Sequence, residues 1–134
     1  MEEIYRNVSE RLRTRVLGLE TVALDCGQTE NPNAPALALP AALVDIAYPE
    51  CGDITCVTQQ CRVVVSVRVA FRGYPEAADP SAELGLLEDV YNALQGWTDD
   101  TLSCLSRTSV TPEVRHDGVK VYRLEFSTAF EEEA

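Results

Sequence analysis

A single lysine, Lys120, and a single histidine, His116, stand in a chain of 134 residues. With one histidine there is little to activate a nucleophile or to complete a zinc site closed by cysteine and histidine. Positive charge of any kind is scarce: 11 Lys plus Arg face 22 Asp plus Glu, a formal charge of −11 and a pI near 4.4. Such a surface repels phosphate backbones, which excludes a stand-alone nucleic-acid binder. No stretch approaches the roughly 20 consecutive apolar residues of a membrane span. The first residues, Met-Glu-Glu-Ile-Tyr-Arg, have no basic segment leading into an apolar one, so the chain is expected to be made and kept in the cytoplasm. There is no G-x-G-x-x-G, G-x-x-x-x-G-K-[ST], H-E-x-x-H or G-x-S-x-G, the motifs by which common catalytic and phosphate sites announce themselves. The acidic pairs Glu88-Asp89 and Asp99-Asp100 read as a solvated helix face and a turn. His116 falls beside Asp117-Gly118 as a turn residue, and no thiol is singled out as its partner. No enzymatic activity, cofactor or metal is expected.

With 46% hydrophobic residues the chain can build a real core, and its length suits one domain. We expect a single domain over 1–130 and an acidic frayed tail over 131–134. Five cysteines without a secretion signal suggest thiols in a reducing compartment. Cys51, Cys56 and Cys61 recur as C-x4-C-x4-C, unlike the tighter C-x2-C knuckles that hold zinc. They read as small apolar fillers, with an oxidised pair possible but not assignable from spacing. Cys26 and Cys104 read as structural.

Ile4, Val8, Leu12 and Val16 recur at four-residue intervals and predict an amphipathic helix from Glu2 to about Leu17, with Gly18 as its stop. A strand at Thr21–Asp25 and a loop at 27–35 follow. Ala36–Ala47 reads as a strand with Pro40 near its start or on an edge. Tyr48–Gln59, rich in Cys, Thr, Gly and Pro, reads as a second loop.

The clearest signal is Cys61–Arg72, where Cys61, Val63, Val65, Val67, Val69 and Phe71 alternate with Arg62, Val64, Ser66, Arg68, Ala70 and Arg72. A break at 73–80 leads to a helix from Ser81, the expected N-cap, to about Gln95, with an apolar stripe of Leu84, Leu87, Tyr91 and Leu94 widened by Leu86 and Val90. A strand over about Ser103–Arg115, a hairpin turn at His116-Asp117-Gly118 and a return strand Val119–Phe130 close the chain. The apolar parity of the return strand changes near Val121-Tyr122, which predicts a β-bulge there. The order α-β-β-β-α-β-β predicts an α+β domain: a mainly antiparallel sheet of four to five strands with two helices packed on one face.

Arg62, Arg68 and Arg72 put cations on the non-core face of the long strand. That face is either solvated or set against carboxylates of the same chain or of another copy, since arginine suits bidentate carboxylate contacts. In the interface reading Arg62, Arg68 and Arg72 meet acidic residues such as Glu50 and Asp53, and Arg68→Glu weakens assembly.

Several strings together resemble the tail-terminator and tail-completion proteins (minor tail proteins) of long-tailed bacteriophages and prophages. They are ERLRTRVLGL, LALPAALVDI, CRVVVSVRVAFRG, LGLLEDVYNALQGW and the closing VYRLEFSTAF, spread over the whole chain. The resemblance implies a small α+β structural protein that caps the tail tube at its head-proximal end, as a ring usually of six subunits. Its implied partners are further copies of itself, the major tail tube protein and head–tail connector proteins, with DNA passing through unbound. The implied location is the virion tail, assembled in the bacterial host cytoplasm, with no membrane involved. The family has no catalytic residue to transfer, and the cysteine-rich segment Cys51–Cys61 lies outside its pattern. A head–tail joining or neck protein and a small acidic cellular adaptor are the alternatives. An acidic charge suits a ring around DNA, because attraction would hold the genome in place.

Overall fold

The computed structural model describes residues 1–31, 33–34, 36–72, 80–113 and 118–134. Among these residues two helices and five strands follow in the order α1 (Glu2–Arg15), β1 (Thr21–Leu24), β2 (Ala41–Asp53), β3 (Thr58–Arg72), α2 (Pro80–Leu94), β4 (Ser106–Glu113) and β5 (Val119–Glu133). The strands form one sheet, β1-β2-β3-β5-β4. Only β1 and β2 run parallel, and the other three pairings are antiparallel. This is the expected α+β fold.

The alternation of β3 places Val63, Val65, Val67, Val69 and Phe71 on the core face, level with Thr128, Phe126, Leu124, Tyr122 and Lys120 of β5. The stripe Ile4, Val8, Leu12 and Val16 of α1 and Leu86, Leu87, Val90, Ala93 and Leu94 of α2 join this core. Leu84 is not part of it and is 51% exposed, so the buried stripe of α2 begins one half-turn later than its leucine pattern implies. α1 ends at Arg15, short of Gly18, because Val16 leaves helical geometry while keeping its side chain in the core. Gly96 does end α2 as expected, at φ +73°, a left-handed conformation glycine takes without a Cβ clash.

Three expectations are corrected. The segment 48–59 is not a loop: β2 continues to Asp53 and turns directly into β3 at Thr58. The ladder steps from Ala47↔Val64 to Glu50↔Arg62, one extra residue on β2, and this bulge absorbs Pro49, which has no N–H to give. The turn closes through Ile54 N–H to Thr58 O at 2.9 Å, while the Thr55 hydroxyl accepts from the Val57 and Thr58 amides at 3.2 and 3.1 Å.

The acidic end is not frayed either. Glu131, Glu132 and Glu133 pair with Gln60, Gln59 and Thr58, so the β2–β3 hairpin supplies a ladder for them. Finally, β5 pairs with β3 without a shift, and the irregularity lies on β4 between Arg107 and Ser109. The parity change has another cause: Val121 is buried on the second face, level with Ala70, while Tyr122, Leu124 and Phe126 serve the first. His116 and Asp117 of the hairpin turn, and 73–79, lie outside the described residues.

Candidate functional site

The sheet face turned away from the core cluster carries the charges. Row by row it presents Leu43, Arg68, Arg123 and Thr111, then Asp45, Ser66, Glu125 and Ser109, then Glu50, Arg62 and Ala129. At its centre Arg68 donates from Nη1 to Asp25 Oδ2 at 2.6 Å and from Nε to Glu113 Oε1 at 2.8 Å, with Glu30 Oε1 3.7 Å from Nη2. Asp25 follows β1 and Glu113 ends β4, the two edge strands, so one guanidinium on the middle strand gathers both edges. Neighbouring strands lie about 4.8 Å apart, so edges two strands away reach a common side chain only if they bend over this face.

Burial disfavours the Arg68 charge, but the hydrogen bonds with Glu113 and Asp25 more than reverse that and raise its pKa. Arg68 also stands directly opposite Arg123, an unfavourable pairing that the Arg123–Glu125 contact at 2.7 Å and the three carboxylates offset. The acidic neighbour expected for Arg68 therefore comes from the same chain, and Arg68→Glu reports on folding before it reports on assembly.

The other expected residues are at the surface. Arg62 lies 3.8 Å from Glu50, both at least half exposed, and 3.5 Å from the Ser127 hydroxyl. Ion pairs so exposed contribute about 0–1 kcal/mol. Asp53 accepts from Gln59 Nε2 at 3.0 Å, and Arg72 is exposed at the end of β3. Sequence reasoning missed Asp25, Glu30 and Glu113.

The hairpin brings Cys51 directly opposite Cys61. Both are free thiols, with Cys51 exposed and Cys61 buried, and Cys26, Cys56 and Cys104 are exposed. The hydrogen bond with Cys51 and then burial push Cys61 up to about 11. Since the thiolate is the reactive form, alkylation at pH 8 is expected to label Cys56 and Cys104 fully while leaving Cys61 largely intact. Peptide mass mapping checks this, and equal labelling of Cys61 and Cys56 would contradict the buried pairing. Among the described residues no three or more His, Cys, Asp or Glu side chains are grouped so that they could hold a metal ion.

An open cleft of about 490 Å³ lies between the loop 100–103 and the ends of β3 and β5, lined by Gln60, Asp100, Thr101, Leu102, Phe130 and Glu131 among others. Its lining holds carboxylates and hydroxyls but neither histidine nor lysine to activate them. Beside it Asp99 organises the loop, accepting from the Thr101 hydroxyl at 2.7 Å, the Thr101 and Leu102 amides at 2.8 and 2.9 Å, and Asn7 Nδ2 of α1 at 3.0 Å. Burial would raise its pKa, yet these four donors hold it below its ordinary value of 3.8. A carboxylate with a depressed folded pKa stabilises fully above its unfolded value and loses that contribution as pH falls through the folded one. Asp99→Ala should cost about 1–3 kcal/mol at pH 7 by stranding those donors. Urea unfolding should show the penalty shrinking below pH 4, and a penalty independent of pH would contradict the assignment.

No protein-family model matches the chain, and no curated protein matches it in sequence. The fold is similar to that of a chain in the structure of the virion of a native gene transfer agent particle. The two are 18% identical, the match covers 93% of this chain and 92% of that one, and the TM-score is 0.53. At that identity the likeness is one of fold.

Proposed function

We propose that the chain is a structural protein of a phage-like virion, one copy in a ring that closes the head-proximal end of a tail tube. The observation that carries this reading is the fold likeness, over nearly the whole of both chains, to a component of a virion particle. The tail-terminator strings of the sequence point the same way and supply the finer part, the position at the end of the tube. A charge of −11 per copy is consistent with a wall that DNA passes without being held. The role is non-enzymatic, and the partners are further copies, the tube protein and the connector above it. With Arg68 engaged inside the chain, Arg62, Arg72 and Glu50 on the charged face and Asp53 at the hairpin tip are the expected residues left for subunit contacts.

Deleting the reading frame in the producing cell and imaging the particles tests the role. Tails of irregular length, unattached to heads, are the expected product. Normal particles in normal yield, or free tails of uniform native length as a neck protein's loss would give, would overturn it.

A further inference from the structure

We infer that two complementary patches at opposite ends of the sheet form a head-to-tail contact between copies of this chain: the acidic tip of the β2–β3 hairpin in one copy against the basic last turn of α1 in the next. The inference rests on the ring proposed above and names the surfaces that build it.

The hairpin tip exposes Ile54 and Val57, at 52% and 53%, with Cys56 exposed between them. Carboxylates surround these apolar residues. Asp53 precedes the turn, Glu132 and Glu133 pair opposite Gln59 and Thr58, and the Ala134 amide donates to Val57 O at 2.7 Å, which fixes the acidic strand end beside the tip. The nearest arginine on this ladder, Arg62, already faces Glu50.

At the end of α1 the composition is inverted. The stretch Arg11–Gly18 holds three arginines and no acid, and Arg13, Arg15 and Leu17 are exposed. Leu17 is 87% exposed, the most of any large hydrophobic side chain among the described residues. Cations belong at a helix C-terminus because they complement its dipole, but the dipole gives no reason for an uncovered leucine among them. An exposed leucine flanked by Arg13 and Arg15 and an apolar tip flanked by carboxylates match in both respects that an interface needs, a desolvated centre and a complementary rim.

The two patches cannot meet within one molecule. Arg13 Nη2 donates to Val22 O and the Glu20 amide to Pro40 O, which holds the end of α1 beside the first residue of β2, Ala41. The hairpin tip follows the last residue of β2, Asp53. At about 3.3 Å per residue β2 separates them by about 40 Å. Patches that differ and lie at opposite ends make heterologous contacts, the type that closes into a ring when the rotation between copies permits.

Sedimentation velocity at rising concentration tests this with two reversed chains, Arg13→Glu/Arg15→Glu and Asp53→Arg/Glu133→Arg, whose circular dichroism first confirms the fold. Each alone should associate at least about tenfold more weakly than the wild type, since like charges then face one another. Mixed together they should assemble again, because each presents the charge the other lacks. In Leu17→Cys a short bismaleimide should join residue 17 of one copy to Cys56 of another. If the wild type assembles and both reversed chains assemble equally well, or if the mixture gains nothing over its parts, the patches are wrong and the ring stands. A wild type that stays monomeric throughout overturns the ring together with the patches.

Discussion

Arg68→Ala is expected to lower the unfolding free energy by about 3 kcal/mol, the range found when one partner of a buried ion pair is removed. The reason is what it leaves behind. Asp25, whose side chain is only 5% exposed, and Glu113, at 20%, would face each other and Glu30 across the space the guanidinium filled. Arg68 itself is about one-fifth exposed, so water relieves part of the penalty and the upper end of that range is not expected. Lysine should recover only part of the loss, because a single ammonium cannot reproduce a fork that donates from Nε to one carboxylate and from Nη1 to another. Guanidinium unfolding of the three chains checks the order, wild type above Arg68→Lys above Arg68→Ala. An alanine variant within 0.5 kcal/mol of the wild type, the scatter of ordinary surface substitutions, would mean that the edges of the sheet are not held at this point.

Phe126→Ala is expected to cost about 3–5 kcal/mol, the usual cost of emptying a buried aromatic site. Among the described residues Phe126 is the largest of the fully buried side chains, level with Val65 on β3 and Arg107 on β4. Both strands are held by ladders on either side of it and cannot close over the cavity, so relaxation is small. Phe126→Leu should recover much of the loss. The two alanine substitutions differ in their response to salt, and this separates charge from packing. The Phe126 penalty should be the same at low and high ionic strength, whereas the Arg68 penalty should shrink as salt screens the carboxylates left facing one another. Urea unfolding at low and high salt measures both, and an Arg68 penalty unchanged by salt would contradict the ionic account.

Those two residues also illustrate what is legible in a linear sequence. Phe126 sits in a strand whose apolar residues alternate, and the alternation of β3 and the four-residue stripe of α1 are periodic patterns that a local window detects. Failures occur where local composition and long-range pairing disagree. The stretch around Pro49 and Gly52 reads as loop, yet a bulge absorbs the proline and β5 supplies a second ladder for β3 at the same level. Glu131–Glu133 read as a repelling tail until Thr58, Gln59 and Gln60 are found opposite them. Val121 breaks the parity of its strand because both faces of the sheet are buried at that point. Arg68 was identifiable as a cation on a polar face, but its partners Asp25 and Glu113 lie 43 and 45 positions away. Only the order of strands in the sheet brings those partners over Arg68.

That arrangement separates two uses of charge on one chain. Central charges are paired internally and hold the two edges of the sheet together, so they are unsuited to assembly. Exposed charges at the hairpin tip and at the end of α1 are not part of that pairing, acidic at the one and led by Arg13 and Arg15 at the other, a distribution that suits association with further copies.

The position of the protein in the particle is the central claim, and immunogold electron microscopy of intact virions tests it most directly. Antibody raised against the purified chain should place gold at one point per particle, where the tail meets the head. Gold spread along the tube, gold at the distal tip, or unlabelled particles beside labelled cell debris would contradict it.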